Sequence, residues 1–113
     1  MNTHHRINYI ELPAADLPVV KAFYEAAFGW TFTDYGPDYT AFNDGSLDGG
    51  FTAGEVVGTA GPLVILYSDD LEGSLEAVTA AGGEIVRPIF AFPGGRRFHF
   101  LDPAGNQLAV WSE

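Results

Sequence analysis

The stretch Arg6-Ile7-Asn8-Tyr9-Ile10-Glu11-Leu12-Pro13-Ala14-Ala15-Asp16-Leu17-Pro18 decides how the rest of the chain is organised. Its first seven residues are β-rich and partly alternating, which predicts a strand over Arg6 to Leu12 that Pro13 ends. Asp16 has the side chain of a helix N-cap, and Pro18 falls in the first turn, where a missing N–H costs nothing. Leu17, Val20, Tyr24, Ala27 and Phe28 then form one helical stripe, and Gly29 is the expected stop. Phe23, Tyr24 and Phe28 are expected to be core. Three strands should come next, at Trp30–Tyr35, Tyr39–Asn43 and, more weakly, Gly50–Ala53, joined by Gly36-Pro37-Asp38 and Asn43-Asp44-Gly45-Ser46.

The same order recurs downstream. Pro62–Ser68 is an apolar strand, and Asp70 caps a helix with Leu71, Leu75 and Val78 on one face. Gly82-Gly83 stops it, and strands are expected at Glu84–Pro88, Arg97–Leu101 and Gln107–Trp111. Pro93-Gly94-Gly95 and Asp102-Pro103-Ala104-Gly105-Asn106 read as turns. Asp16 matches Asp70, Leu17 matches Leu71 and Gly29 matches Gly83, all at an offset of 54, which also sets Tyr9 against Leu63 and Glu11 against Ile65. The later strands fit at an offset near 58, which aligns Asp44 with Asp102. Two copies of one long repeat indicate a duplicated domain. The expected fold is α+β: two tandem βαβββ modules, about 5–56 and about 61–112, in a single domain. Together they would form an open, cupped eight-stranded sheet with one helix per module.

Composition narrows the function classes. At 113 residues, 47% apolar and 14% aromatic, the chain can bury one real core, and 18% charged residues is too few for disorder. The net charge of -10 repels phosphate backbones and anionic lipid, so neither nucleic acid nor a membrane surface is an expected partner. Arg87, Arg96 and Arg97 lie close enough in sequence to leave an anionic ligand open. Having no cysteine, the chain can make no disulfide, thiolate nucleophile or Cys-based metal site. No secretory signal and no run of about 20 apolar residues stands out, so a cytoplasmic location is expected. His4 and His5 are expected in a frayed terminus rather than as ligands.

Tyr9-Ile10-Glu11-Leu12-Pro13-x-x-Asp16-Leu17, then Phe23-Tyr24-x-x-x-Phe28-Gly29-Trp30, resembles the first module of the vicinal oxygen chelate superfamily. That superfamily includes glyoxalase I, bleomycin resistance proteins, fosfomycin resistance enzymes and extradiol dioxygenases. Asp69-Asp70-Leu71, Ala81-Gly82-Gly83 and Asp102-Pro103-x-Gly105-Asn106 resemble its second module, so the likeness covers essentially the whole chain. It is similar above all to a glyoxalase-like group. The resemblance implies paired βαβββ modules and, for chains this short, a homodimer. It also implies metal-ligand positions on the cup-facing first and last strands of each module. Carried over, these are Tyr9, Gly50 or Phe51, Leu63 and Ala109. A divalent metal needs three or four N or O donors, so no metal and no cofactor is expected, and with them goes the metal chemistry of the family.

Alternation puts Tyr9, Glu11 and Pro13 on one face, which the resemblance makes the cup. Glu11 is there either a general base or ligand acceptor, or a carboxylate tied to an arginine or a backbone amide. His99 shares parity with Arg97; the pair reads as ligand binding or proton transfer with an anion clamp, or as rim residues in solvent. Arg96, of opposite parity, should face solvent or a helix. Gln107, Ala109 and Trp111 share a face; Trp111 could stack on a planar ligand or simply end the core. Tyr39 and Phe42 lie on opposite faces, and pattern alone leaves open which points inward. Three functions are compatible with these residues. One is a metal-independent binder of an unknown small molecule at Tyr9, Tyr39, Leu63, Arg97, Gln107, Ala109 and Trp111. Another is a lyase, isomerase or hydrolase with Glu11 and His99 as acid–base pair. The third is a structural dimer module with a vestigial cup.

Overall fold

The computed structural model describes residues 2–53, 62–103 and 105–113. The boundary between the modules falls in 54–61, and Ala104 of the last turn is also outside the described residues. The elements run β1 (Ile7–Pro13), α1 (Leu17–Phe28), β2 (Thr31–Asp34), β3 (Tyr39–Asn43), β4 (Asp48–Thr52), β5 (Leu63–Tyr67), α2 (Leu71–Ala80), β6 (Glu84–Phe92), β7 (Gly95–Leu101) and β8 (Gln107–Ser112). The fold is α+β, with two tandem βαβββ modules. The chain divides into two compact units, Tyr9–Pro62 and Met1–Asn8 with Leu63–Glu113.

In the first unit the sheet order is β2-β3-β4-β1, antiparallel except that β4 and β1 run parallel. Asp16 accepts a hydrogen bond from the Val19 amide at 3.2 Å and starts α1. Gly29, at φ 72°, closes the helix by donating to Glu25, a left-handed conformation that costs a glycine little. The helix stripe that meets the sheet is Leu17, Val20 and Tyr24, packed on Leu12, Phe32, Phe42 and Phe51. Trp30 is stacked between Tyr24 and Phe42, with ring centroids 4.5 and 4.6 Å away. The expectation of a core role for all three helix aromatics is corrected here. Phe23 is 57% and Phe28 65% exposed, and Ala27 is exposed too. Phe23 lies about 100° around the helix from Tyr24, and Phe28 sits in the last turn.

The second unit repeats the topology as β6-β7-β8-β5, with β8 and β5 parallel. Asp70 caps α2 by accepting from the Gly73 amide at 3.1 Å. Leu71, Leu75 and Val78 pack on Phe98, Phe100, Val110, Leu66, Ile85 and Ile89. Strand β6 runs to Phe92, past the expected end at Pro88. Its register with β7 shifts between Ile85 and Arg87 and again between Arg87 and Phe90, so the proline sits in an irregular stretch where no ladder bond is lost. His4 and His5 are held in place, not frayed. His5 donates its amide to Tyr67, the Tyr67 amide donates to Arg6, and the His5 ring bonds Ser74 Oγ at 2.9 Å. His4 pairs with Asp69 at 2.8 Å. Asp44 and Asp102, 58 residues apart, each tie a turn, the second one residue longer than the first. Asp44 donates its amide to Leu47 and takes two amides on Oδ1, while Asp102 donates its amide to Asn106 and takes the Asn106 amide on Oδ1. Among the described residues no helix is long and apolar enough to cross a membrane.

Candidate functional site

Each helix covers one face of its module's sheet, which leaves the other face as the place where a ligand could be met. In the first unit, β1, β4 and β3 align Glu11 with Gly50 and Gly50 with Ala41, and align Pro13 with Thr52 and Thr52 with Tyr39. Tyr9, Glu11 and Tyr39 therefore share the face opposite Phe42 and Phe51, which resolves the open choice: Phe42 is core and Tyr39 is on the site face. The Tyr39 hydroxyl donates to Glu11 Oε2 at 3.1 Å and lies 2.5 Å from the Tyr9 hydroxyl. A phenol has one proton, so Tyr9 donates to Tyr39 and Tyr39 to Glu11. Glu11 is only 7% exposed. Burial is the main reason both phenols are held above their ordinary pKa, with the Glu11 charge acting in the same direction, so they remain protonated donors. The sequence position that makes this possible is Gly50. A Cβ there would run into the Tyr39 hydroxyl and come within 2.7 Å of that of Tyr9.

In the second unit, Ile65 aligns with Ala109 and Ala109 with His99, and Tyr67 aligns with Trp111 and Trp111 with Arg97. His99 is 1% exposed, and its Nδ1 lies 3.0 Å from the Gln107 amide nitrogen. An amide nitrogen only donates, so Nδ1 is the acceptor and the ring proton sits on Nε2. Among the described residues Nε2 is buried with no hydrogen-bond partner. Burial first, then the charges of Arg97 and Arg87, bring the His99 pKa down to about 4, so the ring is neutral at physiological pH. Arg87 lies opposite His99 across the β6–β7 ladder, and its guanidinium carbon is 3.7 Å from the Phe90 ring centroid. Arg97 lies 5.5 Å from both Phe90 and Phe92.

The structure thus groups Tyr9, Tyr39 and Glu11 in one unit and Arg97, His99 and Gln107 in the other. Leu63 and Ala109 are fully buried. Trp111 packs against Tyr67 and Phe92 and donates its Nε1–H to Asn8 at 3.1 Å. Arg96 faces α2, bonding Glu72 at 2.6 Å. Asp102 holds its turn and is not placed as a catalytic acid. Sequence reasoning missed Phe90 and Phe92, since a strand ended at Pro88 gives no parity to the residues beyond it. Arg87 was noted only as one of three nearby arginines, and its face was hidden by the two register shifts.

The pattern of the Glyoxalase/Bleomycin resistance protein/Dioxygenase superfamily matches residues 6–110. A glyoxylase-like domain-containing protein of Didymella fabae is 30% identical over 122 residues, covering 97% of this chain and 95% of that protein. The anthracycline biosynthesis protein DnrV of Streptomyces peucetius is 31% identical over 124 residues, covering 91% of this chain. The chain spans less than half the length of that protein (45%) and of the putative glyoxylase CFP32 of Mycobacterium bovis (44%), which is 24% identical. Methylmalonyl-CoA epimerase from Mycobacterium tuberculosis superposes with a TM-score of 0.75 at 14% identity, covering 99% of this chain and 91% of that one. The Mn(II)-bound glyoxalase of Novosphingobium aromaticivorans gives 0.69 at 20%, covering 99% of this chain and 40% of that one. Likeness at these identities is of fold.

The residues do not fit the metal that some members carry. The register settles Gly50, not Phe51, as the site-face residue of β4, because Gly50 aligns with Glu11 while Phe51 is core. Gly50, Leu63 and Ala109 have no donor atom in their side chains, and the Tyr9 hydroxyl is a protonated phenol held by Tyr39. Among the described residues no three His, Cys, Asp or Glu side chains come together. With its matched repeat, its βαβββ topology in each unit and a family pattern spanning residues 6–110, this chain belongs to the glyoxalase/bleomycin resistance protein/dioxygenase superfamily, the vicinal oxygen chelate fold.

Proposed function

We propose that the chain is a small-molecule-binding protein of the glyoxalase/bleomycin-resistance type that works without a metal at the family positions. The observation that carries this reading is the buried array Tyr9–Tyr39–Glu11 on the face of the first module that its helix leaves uncovered. Desolvating a carboxylate and two phenols costs stability, and breaches of this kind gather at functional sites, where the groups are held for a partner. The array spends its protons internally, so toward a ligand it offers oxygen lone pairs. The anthracycline relative makes flat, polycyclic compounds a sensible first library. Differential scanning fluorimetry with metabolites, antibiotics and divalent cations tests the reading, because a ligand that binds only the folded chain raises its melting temperature. A hit lost on Glu11→Gln or Tyr39→Phe supports it. A stoichiometric metal in elemental analysis, or hits confined to divalent cations, refutes metal independence.

The second reading is lyase or isomerase chemistry with Glu11 and His99 as acid–base pair. It draws support from the buried carboxylate and the neutral, Nε2-protonated ring. Under it, Glu11→Gln abolishes turnover of a bound compound while leaving binding within a few fold. A homodimer is the proposed assembly. Sedimentation equilibrium checks it, and a dimer without any ligand in the screen would favour the structural module with a vestigial cup.

A further inference from the structure

The two modules carry opposite hydrogen-bonding polarity on the faces that their helices do not cover. The first presents acceptors. The second presents donors: the His99 Nε2–H, buried and with no acceptor among the described residues, and the guanidinium of Arg87 opposite it on β6. An N–H buried without a partner is costly, so its retention needs an explanation. The Arg87 guanidinium carbon lies 3.7 Å from the Phe90 ring centroid, which holds this cation beside His99 on the same face. Phe90, Phe92 and Trp111 add flat apolar surface beside these donors. The charges that bear on the ring, Arg87 and Arg97, are both positive. Arg97 has contacts of its own and is not counted among the donors.

We propose that this face of the second module is a site for an organic anion, a carboxylate or enolate oxygen attached to a flat apolar body, with His99 Nε2–H and Arg87 as its donors. Gln107 is the positioning residue. By donating to Nδ1 it keeps the proton on Nε2 and makes His99 a hydrogen-bond donor to substrate rather than a base. The proposal deepens the small-molecule reading and rests on it, but names a ligand class that the reading leaves open.

Benzoate, benzamide and benzamidine share one shape and carry negative, zero and positive charge, so they isolate the charge preference. Each is titrated into protein with ¹⁵N-labelled histidine, following the His99 ring nitrogens. The free protein is expected to show a neutral ring with the proton on Nε2. Benzoate should shift the Nε2 signal saturably, and benzamidine should not. Arg87→Gln and His99→Gln should each weaken benzoate by about tenfold or more, the loss expected for a hydrogen bond to a charged group. Gln107→Glu can only accept, so it should move the proton to Nδ1 and weaken benzoate while the fold persists. Benzamide or benzamidine binding as well as benzoate would overturn the anion site and leave small-molecule binding standing. A proton on Nδ1 in the free protein, or no response of His99 to benzoate at millimolar concentration, would also overturn it. If the wider compound library is silent as well, the parent reading falls with it.

Discussion

Acid should destabilise this protein through one buried ring, and the size of the effect can be worked out from its surroundings. His99 has an ordinary pKa of 6.5 in the unfolded chain and about 4 in the folded one, first because burial penalises the charged form and then because Arg97 and Arg87 repel it. Above pH 6.5 the ring is neutral in both states and adds no pH dependence. Below it the unfolded chain binds a proton that the folded chain refuses, so stability falls with pH until the folded ring titrates near 4. The loss is about 2 kcal/mol by pH 5 and about 3 kcal/mol by pH 4, from the linkage between an unfolded pKa of 6.5 and a folded one of about 4. Urea unfolding of the native protein and of His99→Gln, run side by side between about pH 7.5 and 4.5, isolates this contribution. Asp34, Asp44 and Glu72 also titrate at acid pH, their pKa values lowered chiefly by Lys21, the Leu47 amide and Arg96 respectively, but they are common to both proteins and cancel in the difference. The native advantage over His99→Gln should shrink as pH falls. A difference that stays constant within about 0.5 kcal/mol would mean that the ring is solvated or already paired, and the argument from burial would fail.

Three further outcomes test other parts of the structure. Gly50→Ala places a methyl against the Tyr39 and Tyr9 hydroxyls and should cost about 1–3 kcal/mol as an overpacked site, with loss of the Tyr39–Glu11 hydrogen bond visible in a crystal structure. Phe98→Ala empties the centre of the second core, where the ring is fully buried between α2 and its sheet, and should cost about 3–5 kcal/mol in chemical denaturation. Asp70→Ala removes the cap on the Gly73 amide and should lower stability by about 1 kcal/mol, with Asp70→Asn recovering most of it.

Local signals were legible in the sequence and non-local ones were not. The caps Asp16 and Asp70 and the stop at Gly29 depend on backbone groups within a few residues, so both helices were legible to within a residue or two of their starts. Shared strand faces were legible wherever alternation was unbroken, which is why Tyr9 with Glu11 and Arg97 with His99 came out as same-face pairs. Alternation failed in β6, where two register shifts around Pro88 break the period, and the face of Arg87 and the whole of Phe90 were lost with it. It also said nothing about Phe23 and Phe28, because an aromatic on a helix is read as core from its type, whereas the width of the sheet beneath decides how much of the helix is covered. The Gln107–His99 contact lies eight residues apart across a hairpin, and no periodicity carries the direction of an amide.

The register also explains why the duplication reveals the site but not its chemistry. One row across the face opposite the helix reads Glu11, Gly50, Ala41 in the first module and Ile65, Ala109, His99 in the second. The acid of the first has a hydrocarbon as its twin, and so has the imidazole of the second. The next row sets Tyr39 where the second module has Arg97. The middle of the first row is the informative place: it is glycine where a phenol must lie against the strand, and alanine where the neighbouring ring takes its partner from Gln107 instead. Each module has therefore kept the small residue and the backbone that duplication supplied and filled the flanking positions independently, one with acceptors and one with donors. On these rows the first module carries acceptors and the second donors, so Glu11→Gln removes an anionic acceptor and His99→Gln a buried donor, and the two substitutions should alter the preference among ligands in different directions when each variant is titrated with the same compounds.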